Sequence, residues 1–176
     1  MKVCSAVMLL IIVGFAMPSP SKAQVSVYAE GTASNLPNGP AGDYLYGGTL
    51  GVTYDGPTLM KHVLLSADIQ TRYVDKDGER LIGALLGPRF SFPLKKIRVT
   101  PYGEFLVGFA RYRDTTLPGA LDTTDDEWQT GAGVAKEMTP HLDAPVHVDY
   151  AQYGAEDGKY NPISYSAGVA WHFVKR

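Results

Sequence analysis

The stretch Ile163-Ser-Tyr-Ser-Ala-Gly-Val-Ala-Trp-His-Phe173, "ISYSAGVAWHF", decides the fold. Ile163, Tyr165, Ala167, Val169, Trp171 and Phe173 alternate with Ser164, Ser166, Gly168, Ala170 and His172. A strict period of two marks a β-strand, whose successive side chains point to opposite faces. The less apolar face is the informative one. A strand face in water normally carries Lys, Glu, Thr or Arg, because Gly and Ala weaken a strand without packing against anything. Here Ser, Gly, Ala and His occupy it, as they would in a narrow and crowded interior. The apolar row then looks outward.

Upstream, the same kind of segment recurs at roughly 24–33, 46–54, 63–74, 81–92, 97–112, 128–138 and 145–154, which with 162–173 gives eight strands and no amphipathic helix. Asn38-Gly39, Asp55-Gly56, Asp77-Gly78 and Asp157-Gly158 fall between these strands. Such pairs accept the positive φ angles of tight hairpin turns, so a meander is expected. The connections at 35–43, 75–80, 114–127 and 155–161 form one set, and the mostly shorter ones at 56–62, 93–96 and 139–144 form the other. Long loops on one side and short turns on the other are a property of outer-membrane barrels.

Gly131, Gly133 and Ala135 on strand six, and Gly83 and Gly87 on strand four, repeat the small-residue face. The opposite faces, with Val63, Leu65, Ala67, Ile69, Thr71 and Tyr73 on strand three and Val99, Phe105, Val107 and Phe109 on strand five, are too apolar for water. Five or six alternate positions on a tilted strand cover about 25 Å, the height of a barrel's apolar band. A closed barrel also satisfies every backbone polar group without water. The fold class read from the sequence is therefore all-β, an eight-stranded antiparallel up-and-down transmembrane β-barrel.

The first 23 residues read as a secretory signal, with Lys2, an apolar run from Val7 to Phe15, and small residues at Ser21 and Ala23 ahead of cleavage. Residues 24–176 then form the barrel domain. The only cysteine, Cys4, leaves with the signal, so disulfides and cysteine-ligated metals are not expected. A formal net charge of −2 with no basic block argues against nucleic acid as a partner.

Aromatic residues fall into two groups. Tyr54, Phe90, Phe92, Trp171 and Phe173 lie near one set of strand ends, and Tyr44, Tyr46, Tyr73, Trp128 and Tyr160 near the other. With Tyr165 on the outward row, these are the membrane-facing belt residues expected at the headgroup level. The closing strand, "LLGPRFSF" (85–92), "PYGEFLVGFARY" (101–112) and "WQTGAGVAKEM" (128–138) resemble segments of small OmpA- and OmpX-like outer-membrane barrels. That resemblance implies a bacterial outer-membrane location, contact with outer-membrane lipid, recognition of the last strand by the barrel-assembly machinery, and surface or envelope partners at the loops. Pro88 and Pro101, inside strands four and five, are expected to mark bulges.

Under this parity Glu30, Asp68, Gln70, Arg72, Arg89, Tyr102, Glu104, His147 and Asp149 point inward, where charges must pair. A symmetric turn at 75–80 sets Asp68 opposite Gly87 and diagonal to Arg89, with Glu104 one strand further on. An internal polar network of Glu30, Asp68, Arg72, Arg89, Glu104, His147 and Asp149 is expected to plug the barrel. His147, Asp149 and Ser166 contain the residue types of a lipid acyl hydrolase, but they point into a plugged lumen. Asp75–Glu79 and Asp122–Glu127 lack the full alternating ligand set of a calcium loop and read as soluble loop tips. The expectation is a non-enzymatic envelope barrel without cofactor or bound metal. Its alternatives are a secreted lipocalin-like barrel around an apolar ligand, a lipid acyl hydrolase and a narrow ion pore.

Overall fold

The computed structural model describes residues 24–36, 44–59, 62–115, 121–155 and 158–174. Nine strands follow in order: β1 (Val25–Asn35), β2 (Tyr44–Leu59), β3 (Val63–Lys76), β4 (Glu79–Ser91), β5 (Val99–Asp114), β6 (Leu121–Thr139), β7 (Leu142–Ala155), β8 (Gly158–Tyr160) and β9 (Ile163–His172). Each long strand pairs antiparallel with its chain neighbours, and β9 pairs with both β7 and β1. Eight strands thus close a ring, while the three-residue β8 only extends β7 at one rim. The signal segment and the Asn38-Gly39 turn lie outside the described residues.

The ring closes with a stagger. Starting at Asp55 on β2, the paired residues run through Ser66, Arg89, Glu104, Gly131, Asp149, Ser164 and Ser34. They return to β2 at Leu45, ten residues from the start. Ten residues at about 3.3 Å of rise, set against eight strands spaced about 4.8 Å apart, tilt the strands by about 40°. Both ends of the ring's chain, the start of β1 and the end of β9, lie at one rim, called here the near end. The β3–β4 turn is at the far end.

That far turn is a two-residue hairpin. Lys76 pairs with Glu79, and Asp77 and Gly78 take φ values of 50° and 94°. Two positive φ angles suit the twist of paired strands, and Asp-Gly accepts them. Asp55-Gly56 behaves differently from the sequence expectation. It lies inside β2, which continues to Leu59 through a register shift between Asp55 and Thr58. The backbone N–H of Asp55 donates to Gln24 O at 2.8 Å, which ties β2 to the start of the barrel chain just before the shift.

Pro88 and Pro101 are not bulges. Pro88 stands opposite Ala67 and Pro101 opposite Val134 in unbroken register, and the second register shift is between Glu137 and Thr139. A proline nitrogen removes one ladder bond without adding a residue, and here the neighbouring pairs keep count. Strand six is longer than its sequence pattern. The segment 121–127, expected within a loop, pairs with β5 from Leu121 opposite Asp114 to Glu127 opposite Gly108. Asp122–Glu127 is therefore strand and not loop tip. Polar residues on both faces of this extension conceal its alternation.

The two surfaces of the ring are inverted relative to a protein in water. Leu50, Ile69 and Phe109 on the outside are 60%, 61% and 61% exposed, whereas Asp68 and Arg72 inside are 0% and 1% exposed. Ile163, Val169 and Trp171 face out, and Ser164, Ser166 and His172 are buried inside. A lipocalin-like cavity requires the reverse, so that alternative is overturned. Tyr54, Phe90, Phe92, Tyr165 and Phe173 are also exposed on the outer wall, and Trp128 is half-buried there against Phe105 and Tyr150.

Candidate functional site

The lumen is the one place where the strands converge chemistry, and alternation alone aims it. On β1, Ser26, Tyr28, Glu30, Thr32 and Ser34 point inward; on β3, Ser66, Asp68, Gln70 and Arg72 do. Their side chains form tiers along the barrel.

The tier nearer the chain ends is built around Arg89. Its Nη2 lies 2.8 Å from Asp68 Oδ2 and 2.7 Å from Glu104 Oε2, and its Nε donates to the same Glu104 oxygen at 2.9 Å. The register explains the meeting. Asp68 is opposite Gly87, two residues before Arg89, and Arg89 is opposite Glu104. Thr53 and Tyr28 donate to the two Asp68 oxygens at 2.8 and 2.7 Å. The guanidinium lies between aromatic faces, 5.3 Å from the Tyr28 ring centre and 4.4 Å from that of Tyr102. Paired, hydrogen-bonded and stacked, this is the form in which a charge is tolerated away from water.

The middle tier is built around Asp149. Arg72 reaches it at 3.0 Å and also donates to Gln129 at 2.8 Å and Ser164 at 3.1 Å. His147 Nε2 stands 2.9 Å from Asp149 Oδ2, while its Nδ1 is 3.3 Å from Glu30 and 3.1 Å from the Tyr102 hydroxyl. Tyr102 therefore touches both tiers. Gly131 and Gly133 on β6 make this possible: a Cβ on the first would meet the Asp149 carboxylate, and one on the second would meet His147 and Tyr102.

Toward the far end the lumen turns apolar. Leu36, Leu45, Val74, Leu81, Ala110, Tyr112 and Tyr153 form one buried cluster. Burial of this set caps the polar tiers. The sequence reading places polar residues in the lumen and does not anticipate this apolar cluster. The cap was concealed because Leu45, Val74 and Leu81 look on paper like further outward-facing residues. Near the chain ends His172 Nε2 is 2.9 Å from Asp143 Oδ2, and a cavity of about 40 Å³ reaches inward, lined by Tyr28, Glu30, Arg89, Tyr102, Asp143 and His172.

The seven polar residues singled out from the sequence all lie in these two tiers. Tyr28, Thr53, Gln129 and Ser164 bond directly to these residues without having been singled out for the network, although the parity of Glu30 marks Tyr28 and that of the closing strand marks Ser164. Among the described residues Ser166 forms no hydrogen bond to His147: the two are opposite in register, but the Ser166 hydroxyl shares a hydrogen bond with Thr32 at 2.9 Å, and His147 Nδ1 lies against Glu30 and Tyr102.

No family model and no curated protein matches the sequence. Solved structures do match. The Neisserial surface protein A structure is similar at 16% identity and a TM-score of 0.62, over 85% of this chain and 97% of that one. The N-terminal β-barrel domain of Pseudomonas aeruginosa OprF is similar at 19% identity and a TM-score of 0.54, over 86% and 100%. The fold is that of the small outer-membrane barrels. The outer membrane enzyme PagL is also similar, at 18% identity and a TM-score of 0.52, over 83% and 98%. This fold therefore carries at least one enzyme, and fold alone does not assign a function.

Proposed function

We propose that this chain is a bacterial outer-membrane barrel, exported by its first 23 residues, embedded in lipid, and acting without catalysis in envelope structure or surface contact at its far end. One observation carries the reading. An outer wall with Leu50, Ile69, Phe109, Val146 and Val169 more than half exposed encloses ion pairs that are almost fully buried. A contiguous apolar surface of this extent is unsustainable in water and ordinary in a bilayer. The aromatic residues at both rims suit the two headgroup levels. With the near end in the periplasm, the loops after β1, β3, β5 and β7 reach the cell exterior. The alternating Ile163–Phe173 row offers the barrel-assembly machinery its last strand.

The non-catalytic part of the proposal rests on the Ser166 hydroxyl being bound to Thr32 and on the burial of Ser166 and His147 in the lumen, and the plugged part on the two tiers and the apolar cap. Cell fractionation of the full chain, with and without boiling before electrophoresis, tests the placement. Recovery in outer membranes with a heat-dependent mobility shift is expected. Recovery as a soluble periplasmic or secreted protein overturns it. Planar-bilayer recording of the purified barrel tests the plug, with no steady conductance expected.

A further inference from the structure

The lumen carries more acid than base. Glu30, Asp68, Glu104, Glu127 and Asp149 are buried there with the guanidiniums of Arg72 and Arg89 and the imidazole of His147. Even a protonated imidazole leaves the carboxylates in excess, and buried charge without a counter-charge is costly. Five of the atoms concerned have no hydrogen-bond partner among the described residues: Glu30 Oε2, Arg72 Nε, Glu104 Oε1, Asp149 Oδ1 and His147 Nε2. The last is the telling one. It stands 2.9 Å from Asp149 Oδ2 yet lacks the alignment of an N–H···O bond.

We propose that the lumen binds one divalent first-row transition-metal ion, held by His147 Nε2 and by the carboxylates of Glu104 and Asp149. Ligand atoms of these three residues lie within 4.8 Å of one another. Donors around such an ion sit about 2.1 Å from it, hence at most about 4 Å apart, so the set closes with side-chain shifts of about 1 Å or less. The strands prepare this convergence. Glu104 on β5 and Asp149 on β7 both stand opposite Gly131 on β6, and Tyr102 and His147 both stand opposite Gly133. With no side chains from β6 in between, β5 and β7 reach each other through the lumen.

The surrounding shell matches a ligating histidine. A metal-bound imidazole nearly always gives its other ring nitrogen to a carboxylate, carbonyl or water, which fixes its orientation. Here Nδ1 has Glu30 at 3.3 Å and the Tyr102 hydroxyl at 3.1 Å. Arg72 holds Asp149 Oδ2, the oxygen that also faces His147 Nε2, and Oδ1 is left without a partner for the ion. One imidazole with two carboxylates suits zinc, manganese or iron and is poor in the all-oxygen sites of calcium or magnesium. The near-end cavity, lined by His172 and Asp143, reaches as far as Glu30 and Tyr102, the two partners of His147 Nδ1, and is the approach proposed for the ion.

The inference rests on the lumen being closed and buried, not on where the barrel resides. The test uses the full chain without its signal, refolded in detergent, with Zn²⁺ alone as the probe. Titration calorimetry with metal analysis is expected to give one ion per folded chain. Glu104→Gln and Asp149→Asn are each expected to weaken binding at least tenfold, and Glu30→Gln by about 10- to 100-fold through the imidazole it positions. Folding of each variant is read separately from heat-dependent gel mobility. X-ray absorption on the zinc-loaded wild type provides a measurement that needs no variant, with one imidazole and oxygen ligands expected. Absence of saturable uptake by the folded barrel sinks the proposal. So does uptake unchanged in Glu104→Gln and Asp149→Asn, or a spectrum with two imidazoles, which would move the ion to His141 and His172 at the near end.

Discussion

The phenol ring of Tyr28 fills the space in which a side chain at Gly51 would begin. A Cβ built on Gly51 runs into Cζ and the hydroxyl of that ring. The two residues are cross-strand partners on β1 and β2, and both face the lumen. The missing side chain lets Tyr28 lie across to Asp68 and against Arg89.

Gly51→Ala therefore displaces the ring and loosens the Arg89 tier. The expected cost is that of an overpacked core, about 1–3 kcal/mol. Urea unfolding of the refolded barrel in lipid vesicles measures it. The same substitution at Gly154, where nothing lies within 4 Å of the added carbon, serves as the matched control with little change.

Removing Arg89 strands two carboxylates. Arg89→Met leaves Asp68 and Glu104 facing each other without the shared cation, a loss expected at about 3–5 kcal/mol. Adding Asp68→Asn and Glu104→Gln to that variant removes the stranded charges, and most of the loss is expected to return. An unfolding series across the single, double and triple variants reads this. If the triple variant is no more stable than Arg89→Met, the carboxylates are not what the guanidinium was holding.

A charge on the outer wall reports the solvent directly. Val169→Lys places an ammonium on the exposed row of β9, flanked by Ala167 and Trp171. In a bilayer the expected penalty is about 2–4 kcal/mol if the position lies near the midplane, falling toward the rims. Ser166→Ala, on the inner face, loses only the hydroxyl contact to Thr32 and is expected to fold and fractionate normally.

Beyond the apolar band, the β5–β6 hairpin is clasped by Arg111, which donates to both Asp122 oxygens at 2.7 and 2.6 Å. Those hydrogen bonds hold the Asp122 carboxyl below its ordinary range. A carboxyl depressed in the folded state contributes fully above its ordinary titration near about pH 4, and the contribution disappears as the pH falls through the depressed value. NMR of the Arg111 Nε–H in lipid nanodiscs is expected to show one transition on the acid side of about pH 4. Asp122→Asn should abolish it. The Arg111 and Asp122 side chains are 57% and 35% exposed, so solvent screens the pair and the clasp concerns the hairpin and not the barrel.

Much of this could be read from spacing. Alternation in Ile163–Phe173 and the glycines at 83, 87, 131 and 133 give the wall its two faces, because each face answers to one environment throughout. Asp77-Gly78 pins the β3–β4 register, and the meeting of Asp68 with Arg89 follows from that turn. The strand over 121–127 could not be read this way, since Thr and Asp on both faces erase the period of two. The apolar cap was equally hidden. Leu45, Val74 and Leu81 have the composition of the outer wall, and only their parity with Thr49, Arg72 and Gly83 turns them inward. Gln129 meets Arg72 across 57 residues of sequence and from strands that are not neighbours in the ring, which no local pattern encodes.

The ten-residue stagger also orders events in time. Ser34 on β1 shares a hydrogen bond with Ser164 on β9, 130 residues later, so the seam joins the first barrel strand made to the last. Until β9 arrives, every intermediate has two unpaired strand edges, and in lipid each unpaired backbone group costs several kcal/mol. A chain stopped before Ile163 is thus not a slightly weaker cylinder but an open ribbon with no resting state in the bilayer. Quality control then falls on the ten residues of β9: they act as the latch, and a chain without them should be degraded rather than inserted.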